Sequence, residues 1–176
     1  MNHELKIRAF FHDPIDKPLQ ISGHEARAAE YLQALGLMPV ADDKDVKHAD
    51  HLASAVERVA FPQGEQVDFC REATLTHPLG SGSLSLTETA YGFTYLKPDM
   101  DAVKSTVKRA LIKIKERSGN DRKKLLLDLW RNLPEELKQF EEDNFRLGNV
   151  WNLLPAETRI PHHSVFDHCW LTAAVA

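Results

Sequence analysis

Cysteine is scarce in this sequence. Cys70 and Cys169 are the two in 176 residues, they lie far apart, and no Cys-x-x-Cys occurs. That spacing argues against a structural zinc knuckle and against a disulfide-stapled secreted scaffold. Long apolar runs are missing too, so no stretch has the composition of a bilayer-spanning helix. The opening residues, MNHELKIRAFF, lack the long apolar core and small-residue cleavage site of a signal peptide, and the expected location is the cytoplasm. There is no excess of positive charge. Lys and Arg number 22 against 26 Asp and Glu, for a net charge of −4, so nothing global marks a polyanion binder. A site built around bound cations needs no basic total, because the ions bring the local positive charge. Internal repeats and low-complexity tracts are absent. The final segment, SVFDHCWLTAAVA, reads as a helix without a glycine, asparagine or proline stop signal. This leads to the expectation that residues 1–176 form one domain at the front of a longer chain.

What the chain does have is an ordinary globular composition, 43% hydrophobic and 27% charged, at a length that suits one domain with a real core. Periodicity predicts a mainly helical fold. Leu5–Phe11 reads as an extended entry. HEARAAEYLQALGL reads as a helix with Ala28, Tyr31, Leu32 and Leu35 on one face; Ser22 and Glu25 resemble a capping box and Gly36 ends it. VKHADHLASAVERVAF reads as a second helix, stopped by Pro62. The turn-rich stretch 63–98 is compatible with short strands or irregular structure. From Asp99 a helix carries Val103, Val107, Ala110, Leu111 and Ile114 on one face. RKKLLLDLWRNLPEEL is another, FRLGNVWNLLPAETRIPHHS is a loop with one short helical piece, and the last helix begins near Ser164.

Nine histidines turn attention to metal chemistry. In FHDPIDK, the adjacent His12 and Asp13 offer a nitrogen and a carboxylate that suit a divalent cation; on the residues alone, a surface pair beside a turn proline is the open alternative. In HADHLASAVER, Asp50 lies two residues after His48 on a helix, with Ser54 and Glu57 at helical spacing; a solvated polar face is the alternative there, and the better reading for Glu57 and Arg58. At the end, His168 is followed by Thr172-Ala173-Ala174, small residues that let another helix pack close. His162 or His163 could be capping or surface residues, and that is the better reading for His162. The basic row Lys104, Lys108, Arg109, Lys113, Lys115, Arg117, Arg122, Lys123 and Lys124 suits either a nucleic-acid track or a solvated helix face, since Glu116, Asp121 and Asp128 interrupt it. Trp130, Trp151 and Trp170 read as core, and the cysteines as small apolar packing residues.

Together, a His-Asp pair, a distant Asp and a distant His on a helix continuing into Thr-Ala resemble the ligand set of the HD phosphohydrolase superfamily. The usual order of lone His, pair, then Asp is replaced here by pair, Asp, lone His, so the bundle looks circularly permuted. That permutation is similar to the N-terminal HD domain of the large subunit of type III CRISPR effector complexes. FHDPIDKPL, GHEARA, ADHLASAVER, THPL and PAETRIPHHSVFDHCWLTAAVA resemble its type III-B (Cmr) branch; residues 99–147 carry no matching motif, and His162 departs from the family pattern.

The resemblance implies a mainly α, circularly permuted HD bundle with an irregular or short-strand insertion around 63–98. It implies His12, Asp13, Asp50 and His168 as metal ligands, with His24 and His163 as possible additions, and Asp13, Lys17 and His24 as residues of the chemistry, Lys17 or His24 toward a phosphate. The cofactor implied is one or two divalent ions of manganese, nickel, cobalt, iron or zinc. The activity implied is hydrolysis of phosphodiester bonds in single-stranded DNA, or RNA, in antiviral defence. The partners implied are guide RNA, the other effector subunits, and palm or cyclase domains of the same full-length chain. Two alternatives stand beside it: a structural effector module whose HD site is weak or idle, and a stand-alone nucleotide phosphohydrolase.

Overall fold

The computed structural model describes residues 2–40, 43–57, 74–76, 83–85, 99–137, 141–142, 145–146, 151 and 164–176. The described residues form six helices, α1 (His3–Phe10), α2 (His24–Ala34), α3 (Lys44–Glu57), α4 (Met100–Ser118), α5 (Arg122–Leu137) and α6 (Val165–Val175), and two antiparallel ribbons. In the first ribbon β1 (Thr74–Thr76) pairs with β2 (Ser83–Ser85), Leu75 facing Leu84. In the second, β3 (Glu141–Glu142) pairs with β4 (Phe145–Arg146). The expected helical bundle is what forms. The first ribbon falls inside the 63–98 stretch, where short strands are expected; the rest of that stretch, including Cys70 and His77, and Pro62 before it lie outside the described residues. No described helix is long and apolar enough to cross a membrane.

The expectation for Leu5–Phe11 is corrected: the segment is helical. The Asn2 side chain accepts from the Leu5 N–H at 3.1 Å and starts the helix, satisfying one of the donors a helix start leaves open. Ile7, Ala9 and Phe10 are then buried. The start of α2 also differs. Its N-cap is Gly23 in the left-handed region at φ 71°, without a side-chain cap, so Ser22 and Glu25 form no capping box. Glycine suits this position because a Cβ penalises that conformation. α3 is capped by Asp43, whose Oδ1 accepts from the N–H groups of Asp45 and Val46. α6 begins where the sequence places it, with Ser164 Oγ accepting from the Asp167 N–H.

α1 lies at the centre, packed against α6, α3 and α5; α3 also packs on α6, α4 on α5 and α2 on α4. The periodic faces read from the sequence are the buried ones: Tyr31, Leu32 and Leu35 on α2, Val103, Val107, Leu111 and Ile114 on α4, Leu125, Leu129 and Leu133 on α5. Each such side chain contributes roughly 1.5–3 kcal/mol on full burial. Phe10 anchors the centre, meeting the rings of Phe11, Trp151, Phe166 and Trp170 edge-on, a preferred geometry for aromatic quadrupoles. Trp151 is buried as expected, whereas Trp130 is 39% exposed and stacks on Trp170 with centroids 5.0 Å apart. The central position of α1 places its C-terminal end, at His12, against α3 and α6.

Candidate metal centre

His12 follows the α1 C-cap, Phe11. Pro14 then turns the chain: its carbonyl accepts from the Lys17 N–H at 2.9 Å, and that of Asp16 from Leu19 at 3.0 Å. This turn is an interior one, with Phe11, Asp13, Ile15, Asp16 and Leu19 all buried. Asp16 holds it in place. Its Oδ2 accepts from Arg27 Nε at 2.9 Å and from the Tyr31 hydroxyl at 3.0 Å. The same guanidinium donates to the carbonyls of Gln20 and Ser22. One side chain of α2 thus fixes both ends of the segment between the His-Asp pair and that helix. Burial pushes the Asp16 carboxyl up, and Arg27 and Tyr31 offset this only in part.

Four side chains meet at the end of α1. His12 Nε2 lies 3.1 Å from His168 Nε2 and 3.4 Å from Asp50 Oδ1; His168 Nε2 is 3.2 Å from the same Asp50 oxygen. Asp13 Oδ2 is 3.7 Å from the His12 nitrogen and 3.9 Å from that of His168. Two ligands held about 2.1 Å from one ion at ordinary coordination angles sit roughly 3.0–3.4 Å apart. The three shortest separations fall in or close to that range. One donor atom each of His12, Asp13 and His168 lies within 4.8 Å of the others, a group that could hold a metal ion.

The donor chemistry agrees. His12 Nδ1 is 2.7 Å from the Ala9 carbonyl, which only accepts, so Nδ1 carries the hydrogen and Nε2 of the neutral ring presents a lone pair. Fixing one ring nitrogen on a backbone carbonyl is how a ligating imidazole is usually oriented. Nitrogens and carboxylate oxygens this close need positive charge among them, from a metal ion or from ring protons. Burial pushes Asp50 up, yet in the metal-free protein hydrogen bonds and charge from His12 and His168, which the rings supply only when protonated, outweigh it and hold the carboxyl well below its ordinary range. Asp13 behaves alike: burial raises it, while His12, Lys17 and His168 together bring it below the ordinary value.

The other sequence-read residues border this group. Lys17 Nζ donates to Asp13 Oδ2 at 2.5 Å; burial opposes the lysine's charge, but Asp13 more than restores it. His24 Nε2 is 3.8 Å from Asp13 Oδ1, and its Nδ1 is 2.8 Å from the Ile21 carbonyl. His162, His163 and Arg58 lie outside the described residues. Ser54, read at helical spacing from Asp50, donates to Asp50 Oδ1 at 3.2 Å. Thr172 and Ala173 are buried where α6 meets its neighbours, as their small size suggests. Cys169 is buried, and its thiol reaches the Asp13 carbonyl at 3.5 Å, tying α6 to the turn. Asp16, Arg27 and His51 escape the sequence reading; the second acid of FHDPIDK and the arginine of GHEARA were the available signals.

Five of the nine residues in the basic row are ion-paired among the described residues. Lys104 meets Asp101, Lys108 meets Glu30, Lys113 and Arg117 share Glu136, and Arg122 reaches Glu4. This favours the ion-paired helix face over a track for a nucleic-acid strand.

No protein-family model matches the chain. One curated protein, the CRISPR system Cmr subunit Cmr2 of Pyrococcus furiosus, is 24% identical over 215 aligned positions. The alignment covers 100% of this chain and 25% of that protein. The chain is similar to a Cmr2 subunit. It spans about a quarter of the length of that relative, and the likeness to Cmr2 agrees with the Cmr-type strings at both ends of the sequence.

Proposed function

We propose that this chain is the metal-dependent phosphodiesterase domain of a type III-B CRISPR effector large subunit, cutting single-stranded DNA in the cytoplasm as part of antiviral defence. The observation that carries the reading is the convergence of His12, Asp13 and His168 donor atoms from the turn after α1 and from α6, with Asp50 Oδ1 of α3 lying 3.4 and 3.2 Å from the two imidazole nitrogens. The likeness to Cmr2 supports the biological setting: a longer chain with further domains, and a partner assembly with guide RNA.

A divalent ion held by these residues supplies Lewis acidity toward a phosphoryl oxygen and lowers the pKa of water toward neutrality. The chain's own groups then divide the remaining work. His12, Asp50 and His168 act as ligands. Asp13, held below its ordinary range, serves better as an anionic ligand or bridge than as a proton acceptor. His24 is half-buried beside the second Asp13 oxygen, where it can meet a phosphate oxygen or take a proton. Lys17 offers a cation for the phosphate once a metal engages Asp13.

The test is cleavage of a labelled single-stranded oligodeoxynucleotide with manganese or nickel, wild type against Asp13→Asn. The expected result is metal-dependent cutting that the substitution reduces at least a hundredfold. Cutting that survives it removes the site. A second reading, an idle structural module, has one observation in its favour: Lys17 already neutralises the Asp13 oxygen that faces the imidazoles. No cleavage of DNA or RNA by metal-loaded protein would support it, and turnover of free nucleotides alone would support a nucleotide phosphohydrolase.

A further inference from the structure

A cavity of about 400 Å³ opens from His12, Asp13 and Asp50 into the space between α2 and α3. Its size lies within the range of small-molecule sites. The two helices supply it in matched turns. On α2, His24 and Glu25 stand at the metal end, and Ala28 and Ala29 stand one turn further on. On α3, Asp50 and His51 are near the metal, and Val46 and Lys47 lie one turn back. Pro39 and Val40 also line it. One helical turn is about 5.4 Å, so the far walls stand one short step from the cation site.

The walls change character along that step. Near the metal they are carboxylate and imidazole. Beyond it they are Ala28, Ala29, Pro39, Val40 and Val46, with Ala28 and Val46 buried. Two consecutive alanines leave flat, shallow space where larger side chains would fill the cavity. Glu25, Lys47 and His51 keep the mouth polar. A nucleotide has the matching order: a phosphate that needs charge, a sugar, then a flat base whose faces are apolar and whose edge is polar. Enzymes that act on an unstacked nucleotide commonly hold its base between apolar walls and read its edge with polar groups.

From this match we propose that the cavity between α2 and α3 is a nucleobase pocket, which takes the base of the nucleotide whose phosphate sits at the His12–Asp13–Asp50–His168 centre. The proposal rests on reading that centre as a phosphodiesterase. It gives the single-strand reading a physical basis: the base must leave the stack, which single strands allow and duplexes oppose.

The test compares binding of thymidine 5′-monophosphate and 2-deoxyribose 5-phosphate to manganese-loaded protein by calorimetry, for wild type and for Ala29→Phe, which fills the cavity from its half-buried side. Wild type is expected to bind the nucleotide at least tenfold more tightly than the base-free sugar phosphate, and Ala29→Phe to erase that difference while its manganese isotherm is kept. A second arm changes only the substrate: an oligodeoxynucleotide with one abasic site should be cut at least tenfold more slowly at that position than at its neighbours. Equal affinity for the two ligands in wild type, a base preference that Ala29→Phe retains, or undiminished cutting at the abasic position would overturn the pocket. The parent reading fails separately, through absence of manganese binding or through activity that survives Asp13→Asn.

Discussion

At the scale of single residues, the buried Asp16 carboxylate is an exacting requirement outside the candidate metal centre. It sits inside the turn that carries Asp13, and Arg27 and Tyr31 share one of its oxygens. A hydrogen bond to a charged partner contributes about 1.5–3 kcal/mol. Tyr31→Phe, which keeps the ring and removes the hydroxyl, is therefore expected to lower unfolding stability by about that amount in urea titration; an unchanged midpoint would show that Arg27 alone holds the turn. That His12, Asp13, Asp50 and His168 lie close together was legible in the sequence, because their local strings are distinctive and resemble one family's. Asp16 and Arg27 were not, because an acid and a base eleven positions apart look like any surface charges until folding buries them together.

At the scale of elements, α1 shows where periodicity divides. Leu5, Ile7 and Ala9 alternate as in a strand, while Ile7, Phe10 and Phe11 recur at helical spacing. What decides between them lies outside the segment's apolar pattern: the Asn2 cap and the need to meet α3, α5 and α6 at once. The contact with α6 is close. Ala173 is buried, and Lys6 Nζ donates to the carbonyls of Ala173 and Ala174 at 2.9 and 3.0 Å, satisfying helix-end acceptors. Ala173→Leu forces extra methylenes into this packed seam, at a cost of about 1–3 kcal/mol. It is expected to lower the melting temperature by several degrees and to weaken manganese binding, because His168 shares the helix; unaltered values for both would mean that the seam is not tight. α2, α4, α5 and the start of α6 were readable from pattern alone, since each has one apolar face against a single core.

At the scale of the whole molecule, electrostatics predicts how the metal-free protein answers acid. Asp13 and Asp50 have folded-state values below the ordinary 3.8. Their contribution to stability is thus present above the unfolded value and is lost as pH falls through the folded one. Asp16 is shifted the other way, so its ionisation costs stability as pH rises past the ordinary value. Melting curves of chelator-treated wild type and Asp50→Asn between about pH 5 and pH 2 should therefore draw together as the pH drops, and parallel curves would contradict the assignment. The meeting of the two chain ends was legible only through the motifs; nothing in local pattern encodes which distant helices become neighbours.

His12 and His168 are 156 positions apart, and a shared cation would hold them as a reversible clasp. A permanent cross-link over such a loop would restrict the unfolded chain by about 5 kcal/mol in the chain-entropy picture, and a dissociable one stabilises according to how far its concentration exceeds its dissociation constant. Under the proposed function, metal supply would therefore govern more than reactivity: it would set how firmly α1 and α6 stay together, so starvation for the ion would loosen the bundle at the place where the proposed chemistry occurs.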